Sequence, residues 1–241
     1  MRNILITNDD GIEAEGIIRL AETAKRYGDV WIVAPDGQRS AASHKITLRE
    51  TIDVYRTDFP VAGVKAFKTT GTPADCVRFG VTNIVKGSVD AVLSGINFGY
   101  NIGSDVQYSA TIGAAMEAAH LGLHAVALSE GWNGCHEVTD EYLSGMLDEV
   151  IEDKLSHNQM WNINFPMCPL KECKGVLYDR TVAHNSFWDD YYLEEELPDG
   201  GIRLTVQGNT NLEAVAGTDF KALLDGYVSV SKIKNITHID G

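Results

Sequence analysis

The sequence predicts an α/β fold built on a mostly parallel, doubly wound sheet. Three observations point there. Short apolar runs alternate with segments of helical spacing through most of the chain. The runs are continuous and end abruptly, as buried strands do. Polar, glycine-bearing turns follow several of them, at the edge where open α/β sheets collect ligands.

The elements follow in order. Asn3 to Thr7 is a short apolar strand, and Asn8-Asp9-Asp10-Gly11 is a polar turn. Ala14 to Tyr27 has helical spacing. Asp29 to Pro35 is a second strand, stopped by Pro35 and Gly37. Thr47 to Tyr55 and Val61 to Phe67 read as a hairpin beside the main sheet. Thr72 is an N-cap with Pro73 at the first helical position and Asp75 in the first turn, opening a helix to Val85. Val89 to Leu93 is a core strand. It runs into the loop from Ser94 to Gly103, whose three glycines and two asparagines mark unusual backbone demands. A helix around the alanine run 114–119 follows, then a strand at His124 to Ser129, a helix at Thr139 to Leu155 and a strand at Trp161 to Pro166. Val176 to Val182 and Ile202 to Val206 are expected to pair, joined through an arm from Asn185 to Gly201. Gly217-Thr218-Asp219 opens a short helix, and Gly226 to Val230 is the last strand.

The 241 residues suffice for one large domain, 1–241, with a real core. Within it, residues from about 176 to 241 include a projecting hairpin and a C-terminal arm. The net charge of −14 argues against broad contact with nucleic acid polymers or an anionic membrane. It leaves a small anionic substrate open, because one bound cation reverses the local field. The start lacks a charged segment followed by a long apolar run, and no later run approaches bilayer length, so the expected location is cytoplasmic. Cys76, Cys135, Cys168 and Cys173 follow no zinc spacing. Cys168 and Cys173 are close enough in sequence to bridge in an oxidising compartment; idle thiols suit a cytosolic chain.

Several residues carry chemistry. Asp9 and Asp10 repel one another, and a cation between them relieves the repulsion; oxygen ligands suit Mg²⁺ or Mn²⁺. An Asp-Asp pair before glycine is also an ordinary turn or N-cap. Ser40 offers an oxygen at the same sheet edge, or is a solvated loop serine. Arg39 meets a phosphate or faces water. Asn97 offers a carbonyl oxygen to a metal and an amide to a phosphate, or stands in a glycine-rich turn. Ser109 and Thr111 open the alanine-rich helix beside unpaired backbone donors, which is a phosphate seat or plain capping. Trp188, Tyr191 and Tyr192 on the arm suit a subunit contact or burial against the same chain. His238, in the tail, is an exposed side chain or a general acid or base.

Taken together, these segments resemble the SurE family, the survival-protein nucleotidases. The matching pieces are Asn8 to Gly11, Ala34-Pro35-Asp36 with Arg39 to Ser43, Thr70 to Val77, Ser94 to Asn97, Tyr108-Ser109 with Thr111, Asn162 to Asn164, and Gly217 to Asp219 through Val230. They fall in family order across nearly the whole chain. The resemblance implies a Rossmann-like, three-layer α/β/α core with a C-terminal arm that swaps between subunits of a homodimer or homotetramer. It implies a metal-dependent phosphatase acting on nucleoside 5′-monophosphates, with 3′-monophosphates and short polyphosphate as further candidates. The family's ligands for one divalent metal ion per subunit fall on Asp9, Asp10, Ser40 and Asn97. Two regions depart from the pattern. His184 to Asp190 stands where the family usually has a glycine-containing stretch. In the tail, Asn235 stands near the place of an acid found in some members, with His238 three residues on rather than four.

The mechanism expected is metal-assisted hydrolysis. Asp9 and Asp10 are catalytic through the metal and its water, and His238 is a candidate general acid or base. Asn97, the amides near Gly95, Ser40 and the Ser109–Thr111 helix start hold the phosphoryl oxygens. A signalling receiver domain shares the early acid pair, but lacks here a phosphoacceptor aspartate and a lysine at suitable strand ends. A covalent aspartyl phosphatase separates its two acids by one residue, whereas these are adjacent. A nucleotide- or phosphate-binding protein of the same fold without turnover is the remaining alternative.

Overall fold

A computed structural model describes residues 2–235; His238 lies outside them. Among the described residues, nine strands form the main sheet in the order β3-β4-β2-β1-β5-β6-β7-β11-β8. β1 (Arg2–Thr7) pairs in parallel with β2 (Gly28–Pro35) on one side and β5 (Ala91–Phe98) on the other. The chain winds outward from β1 through β2 to β4 (Lys65–Thr69), then returns to β5 and winds the other way through β6 (His124–Glu130) and β7 (Gln159–Phe165). The order therefore reverses between β1 and β5, which is where open α/β sheets bind ligands.

Alternation along the strands sorts the core into two layers. Ile4 and Ile6 of β1 pack with α1 (Glu15–Ala24) and α4 (Glu137–Val150), through Ile17, Leu20, Leu143 and Leu147. Leu5, on the opposite face, packs with α2 (Pro73–Phe79) and α3 (Ala110–His120), through Val77, Ile112 and Ala115. The expected α/β/α sandwich is present, and a close approach of α3 to the sheet explains its run of alanines.

Local chemistry sets the element ends. Thr72 caps α2 by accepting from Asp75 N at 3.1 Å, while the Asp75 carboxylate accepts from Thr72 N at 3.0 Å. The same carboxylate also accepts from Thr47 N at 2.9 Å and Thr47 Oγ1 at 2.7 Å. That clamp draws 47–53 off the sheet, so the strand expected from Thr47 shortens to β3 (Val54–Thr57), antiparallel to β4. The helix expected to reach Val85 ends at Phe79 in a widened turn, in which Val85 N donates to Gly80 O.

The C-terminal third pairs differently from expectation. β8 (Val176–Leu177) joins β11 (Val228–Lys234) in parallel, and β11 runs antiparallel to β7. β10 (Ile202–Thr210) pairs not with Val176 to Val182 but with β9 (Trp188–Glu196), from Trp188↔Thr210 to Glu196↔Ile202. The two strands form a separate hairpin, and every residue of both is exposed. With neither face buried, β9 needs no apolar alternation, and its acids disguised it as a connecting arm. The four cysteines are free.

Candidate active site

Asp9 is separated from the end of β1 by Asn8 alone and is only 3 % exposed. Its Oδ1 accepts a hydrogen bond from Thr111 Oγ1, and its carbonyl accepts from Arg39 N at 2.7 Å. Burial pushes the Asp9 carboxyl up to about 7; the Thr111 bond opposes this, and Asp10 adds to it. Asp10 Oδ2 accepts from Phe98 N at 3.0 Å, and burial raises this carboxyl too, partly opposed by that bond. The turn is held by Asn8 Nδ2 donating to Gly11 O at 2.8 Å.

β5 reaches the same edge through an irregularity. Its register against β6 shifts between Ser94 and Asn97, which re-aims the side chains beyond. Gly95 stands in this stretch at φ 143°, and a Cβ there would lie 2.3 Å from the Leu128 carbonyl oxygen. Only glycine fits. Asn97 Nδ2 donates to Gly99 O at 2.8 Å, which leaves Oδ1 as the group's acceptor end.

Ser40 arrives on the loop after β2. That loop is pinned by Arg39 N on Asp9 O, by Ser43 N on Tyr108 O at 2.9 Å, and by Ser43 Oγ on Gln107 O at 2.7 Å. His44 Nε2 meets the buried Glu117 at 2.7 Å, and Glu117 also takes Arg78 at 3.2 Å. Arg39 pairs with Asp36 at 2.7 Å, so neither simple exposure nor a bound phosphate is needed to account for it.

The α3 helix start divides between two roles. Ser109 is the N-cap and accepts from Ile112 N at 3.1 Å. Thr111 is fully buried and points its hydroxyl at Asp9. Asp9, Ser40, Asn97 and Ser109 line one cavity of about 670 Å³. Asp10 lines a smaller one of about 310 Å³ with Glu130 and His136, and Phe98 borders both. Thr111 and Gly95 line neither cavity.

Sequence reasoning missed the support behind this edge. Asn101 N donates to Asn164 Oδ1 at 2.8 Å, Asn101 Nδ2 to Ser129 Oγ at 2.8 Å, and Asn162 Nδ2 to Asn101 O at 2.9 Å. The buried Asp219 accepts from Gly103 N at 3.0 Å, Ala183 N at 2.9 Å and Phe220 N at 2.7 Å. These bonds lock the glycine-rich loop between β7 and the C-terminal third. Glu130 was also missed. It is buried, receives Arg19 at 2.7 Å and His136 at 3.0 Å, and keeps Oε2 without a partner among the described residues. Polar residues at the end of an apolar strand were the available signal.

The residues suit a hard divalent cation. The donors are all oxygens: the Asp9 and Asp10 carboxylates, Ser40 Oγ and Asn97 Oδ1. A buried carboxylate driven towards the neutral form, with a second acid beside it, is the environment that a cation relieves. Asn8 Oδ1, just past β1, and Ser94 Oγ, within β5 where its register begins to shift, are buried without a protein partner among the described residues. No group of three or more His, Cys, Asp or Glu that could hold a metal ion assembles among the described residues.

Comparison with known proteins gives one answer. The family model described as survival protein SurE matches residues 4–187. The chain is 38% identical over 235 residues to a 5′-nucleotidase SurE of Clostridium botulinum (strain Loch Maree / Type A3), covering 96% of this chain and 92% of that protein. It is 36% identical over 238 residues to a 5′/3′-nucleotidase SurE of Cronobacter sakazakii, covering 98% and 90%. The crystal structure of a SurE protein from Aquifex aeolicus superposes with a TM-score of 0.82 at 31% identity, covering 98% of this chain and 95% of that one.

Proposed function

This chain belongs to the SurE family, and we propose that it hydrolyses nucleoside 5′-monophosphates at the Asp9–Asp10 edge with the help of one divalent cation. It is a phosphoric monoester hydrolase of the nucleotidase kind. The observation that carries the proposed site is the convergence of Asp9, Ser40, Asn97 and the α3 N-cap Ser109 on one cavity at the sheet's switch point. The 5′/3′ name of one relative makes 3′-monophosphates a second substrate class to test.

Asp9, Asp10, Ser40 and Asn97 would hold the cation, with Mg²⁺ or Mn²⁺ the fitting choices. When bound, it supplies charge neutralisation at the phosphoryl group and makes water more acidic. Thr111 fixes the Asp9 carboxylate in one orientation. Phe98 N–H occupies Asp10 Oδ2, so Oδ1 remains to bind or to orient water. Ser109 and the positive end of α3, eleven residues long, draw the phosphoryl oxygens to the opposite side.

Assembly and location complete the reading. The hairpin leaves Leu193, Ile202, Leu204 and Val206 exposed, and an isolated two-stranded hairpin is marginal in water. We assign it to a homodimer or homotetramer contact, with 1–241 acting as one unit. Free cysteines favour the cytoplasm. Among the described residues, no helix is long and apolar enough to cross a membrane.

The test is phosphate release from nucleoside monophosphates by chelator-stripped protein, with Mg²⁺, Mn²⁺ or neither. Release is expected only with metal, and Asp9→Asn is expected to lower it at least about a thousandfold while the protein stays folded. Metal-independent release, or an active Asp9→Asn, defeats the proposal.

A further inference from the structure

The metal-site loops do not make the whole cavity. Trp188, Asp190 and Tyr192 alternate along β9, so their side chains leave the strand on one face. All three line the cavity that holds Asp9 and Asn97, and Phe98 and Tyr108 line it too. These four aromatics are 42 to 63% exposed. Single exposed aromatics are ordinary, but four around one cavity form a patch that wants an occupant.

The β9 wall is built. The Trp188 ring packs on Trp132 at 5.2 Å and edge-on to Phe187 at 5.3 Å. Phe187 N and Trp188 N donate to Asp105 Oδ2 at 2.8 and 3.2 Å, which fixes the root of the hairpin at the cavity. Asp190 sits opposite Gly208, where a Cβ would come within 2.8 Å of Asp190 Oδ1. Glycine thus leaves room for this carboxylate. The carboxylate has no hydrogen bond or ion pair among the described residues, which leaves both oxygens for a ligand.

We propose that Trp188, Asp190 and Tyr192 are the nucleoside-recognition wall of the site: the rings stack the base, and Asp190 accepts from two adjacent donors of the nucleoside. The inference rests on the nucleotidase reading above. A carboxylate repels the phosphate, so it must face the far end of the substrate. Two parts of a nucleotide offer paired donors there: the N1–H and N2–H₂ edge of guanine, and the ribose 2′,3′-diol. A carboxylate binds either in two-pronged fashion. Base stacking on aromatics suits a cavity of this size, open on one side.

The experiment uses the full-length enzyme with Mg²⁺ or Mn²⁺. It measures kcat/KM for GMP, dGMP, AMP and dAMP, each divided by that for ethyl phosphate, which has no base, sugar or aromatic ring. Asp190→Asn and Tyr192→Ala alter exposed side chains, and Gly208→Ala displaces the Asp190 carboxylate without removing it. For Tyr192→Ala every ratio is expected to fall at least about fivefold through KM; for Asp190→Asn and Gly208→Ala the same fall is expected for the substrates that carry the paired donors, in line with the cost of lost stacking or charge-assisted bonds. For Asp190→Asn, a fall confined to GMP and dGMP identifies the guanine edge. A fall for GMP and AMP but not their deoxy forms identifies the diol. Unmoved ratios in both Asp190→Asn and Tyr192→Ala overturn the inference. If the wild type binds GMP, seen as tryptophan quenching, yet releases no phosphate from any substrate, the nucleotidase reading fails. The GMP dissociation constants of the same variants then decide the wall: a weakening of at least about fivefold supports it, and none overturns it.

Discussion

Replacing Asp219 should loosen the site from behind. Its carboxylate takes three backbone N–H groups, from Gly103, Ala183 and Phe220, and the residue is fully buried. In Asp219→Ala all three donors lose their acceptor. A buried donor left unpaired costs about 1–3 kcal/mol, so three should cost the variant about 3–9 kcal/mol, a large part of a typical 5–15. Asp219→Asn keeps one oxygen. Oδ1 already serves Ala183 and Phe220, so the amide loses mainly the Gly103 bond, at about 1–3 kcal/mol. Urea unfolding followed by tryptophan fluorescence measures both, and thermal scans should show roughly 2–4 °C per kcal/mol in a chain of this size. The folded Asn variant should also lose activity, because Gly103 anchors the loop that carries Asn101 and Asp105. A loss under about 1 kcal/mol for alanine, or equal losses for both variants, would refute the reasoning.

Other outcomes follow from the same geometry. Thr111→Ala frees the Asp9 carboxylate, so metal affinity and kcat/KM should drop about 10–100-fold, with recovery in Thr111→Ser; Mg²⁺ titration of activity checks it. Gly95→Ala places a Cβ 2.3 Å from the Leu128 carbonyl at a left-handed φ. It should cost about 3 kcal/mol or more, visible in thermal unfolding. At Asp75, burial raises the carboxyl pKa, but bonds from Thr47 and Thr72 outweigh it and hold it below the ordinary value. Its stabilisation is therefore complete above the unfolded carboxylate pKa, and is lost as pH falls through the lower folded one. Asp75→Asn should flatten the acid limb of the stability-against-pH curve, measured by urea midpoints from pH 6 down to about 3.

The parallel core was legible because buried strands write themselves as apolar runs: Ile4 to Ile6, Val30 to Val33 and Val126 to Leu128 are all strand interiors. The α2 cap was legible because Thr72, Pro73 and Asp75 act within a few residues of one another. What failed was long-range. Nothing in Thr47 announces that it will bond an aspartate 28 residues away, and nothing in Asp219 announces Gly103, 116 residues before it. β9 hid for a different reason: a strand exposed on both faces has no periodicity to read. At the site, the acid pair and the α3 start were visible as chemistry. Ser40 offered an oxygen from its loop position, but only the family pattern raised it above a solvated serine, since the bonds that pin its loop join segments distant in sequence.

The cavity has two walls of unequal standing. One is the end of the central strands, where Asp9 lines the cavity with the buried Thr111 and Gly95 packed behind the lining. Almost any change there disturbs the fold along with the chemistry. The other is a hairpin with no interior, whose outward residues carry none of this chain's own core. On the proposed reading, a change that shifts substrate choice costs this chain's core little, and a change at the cleaving edge costs it most.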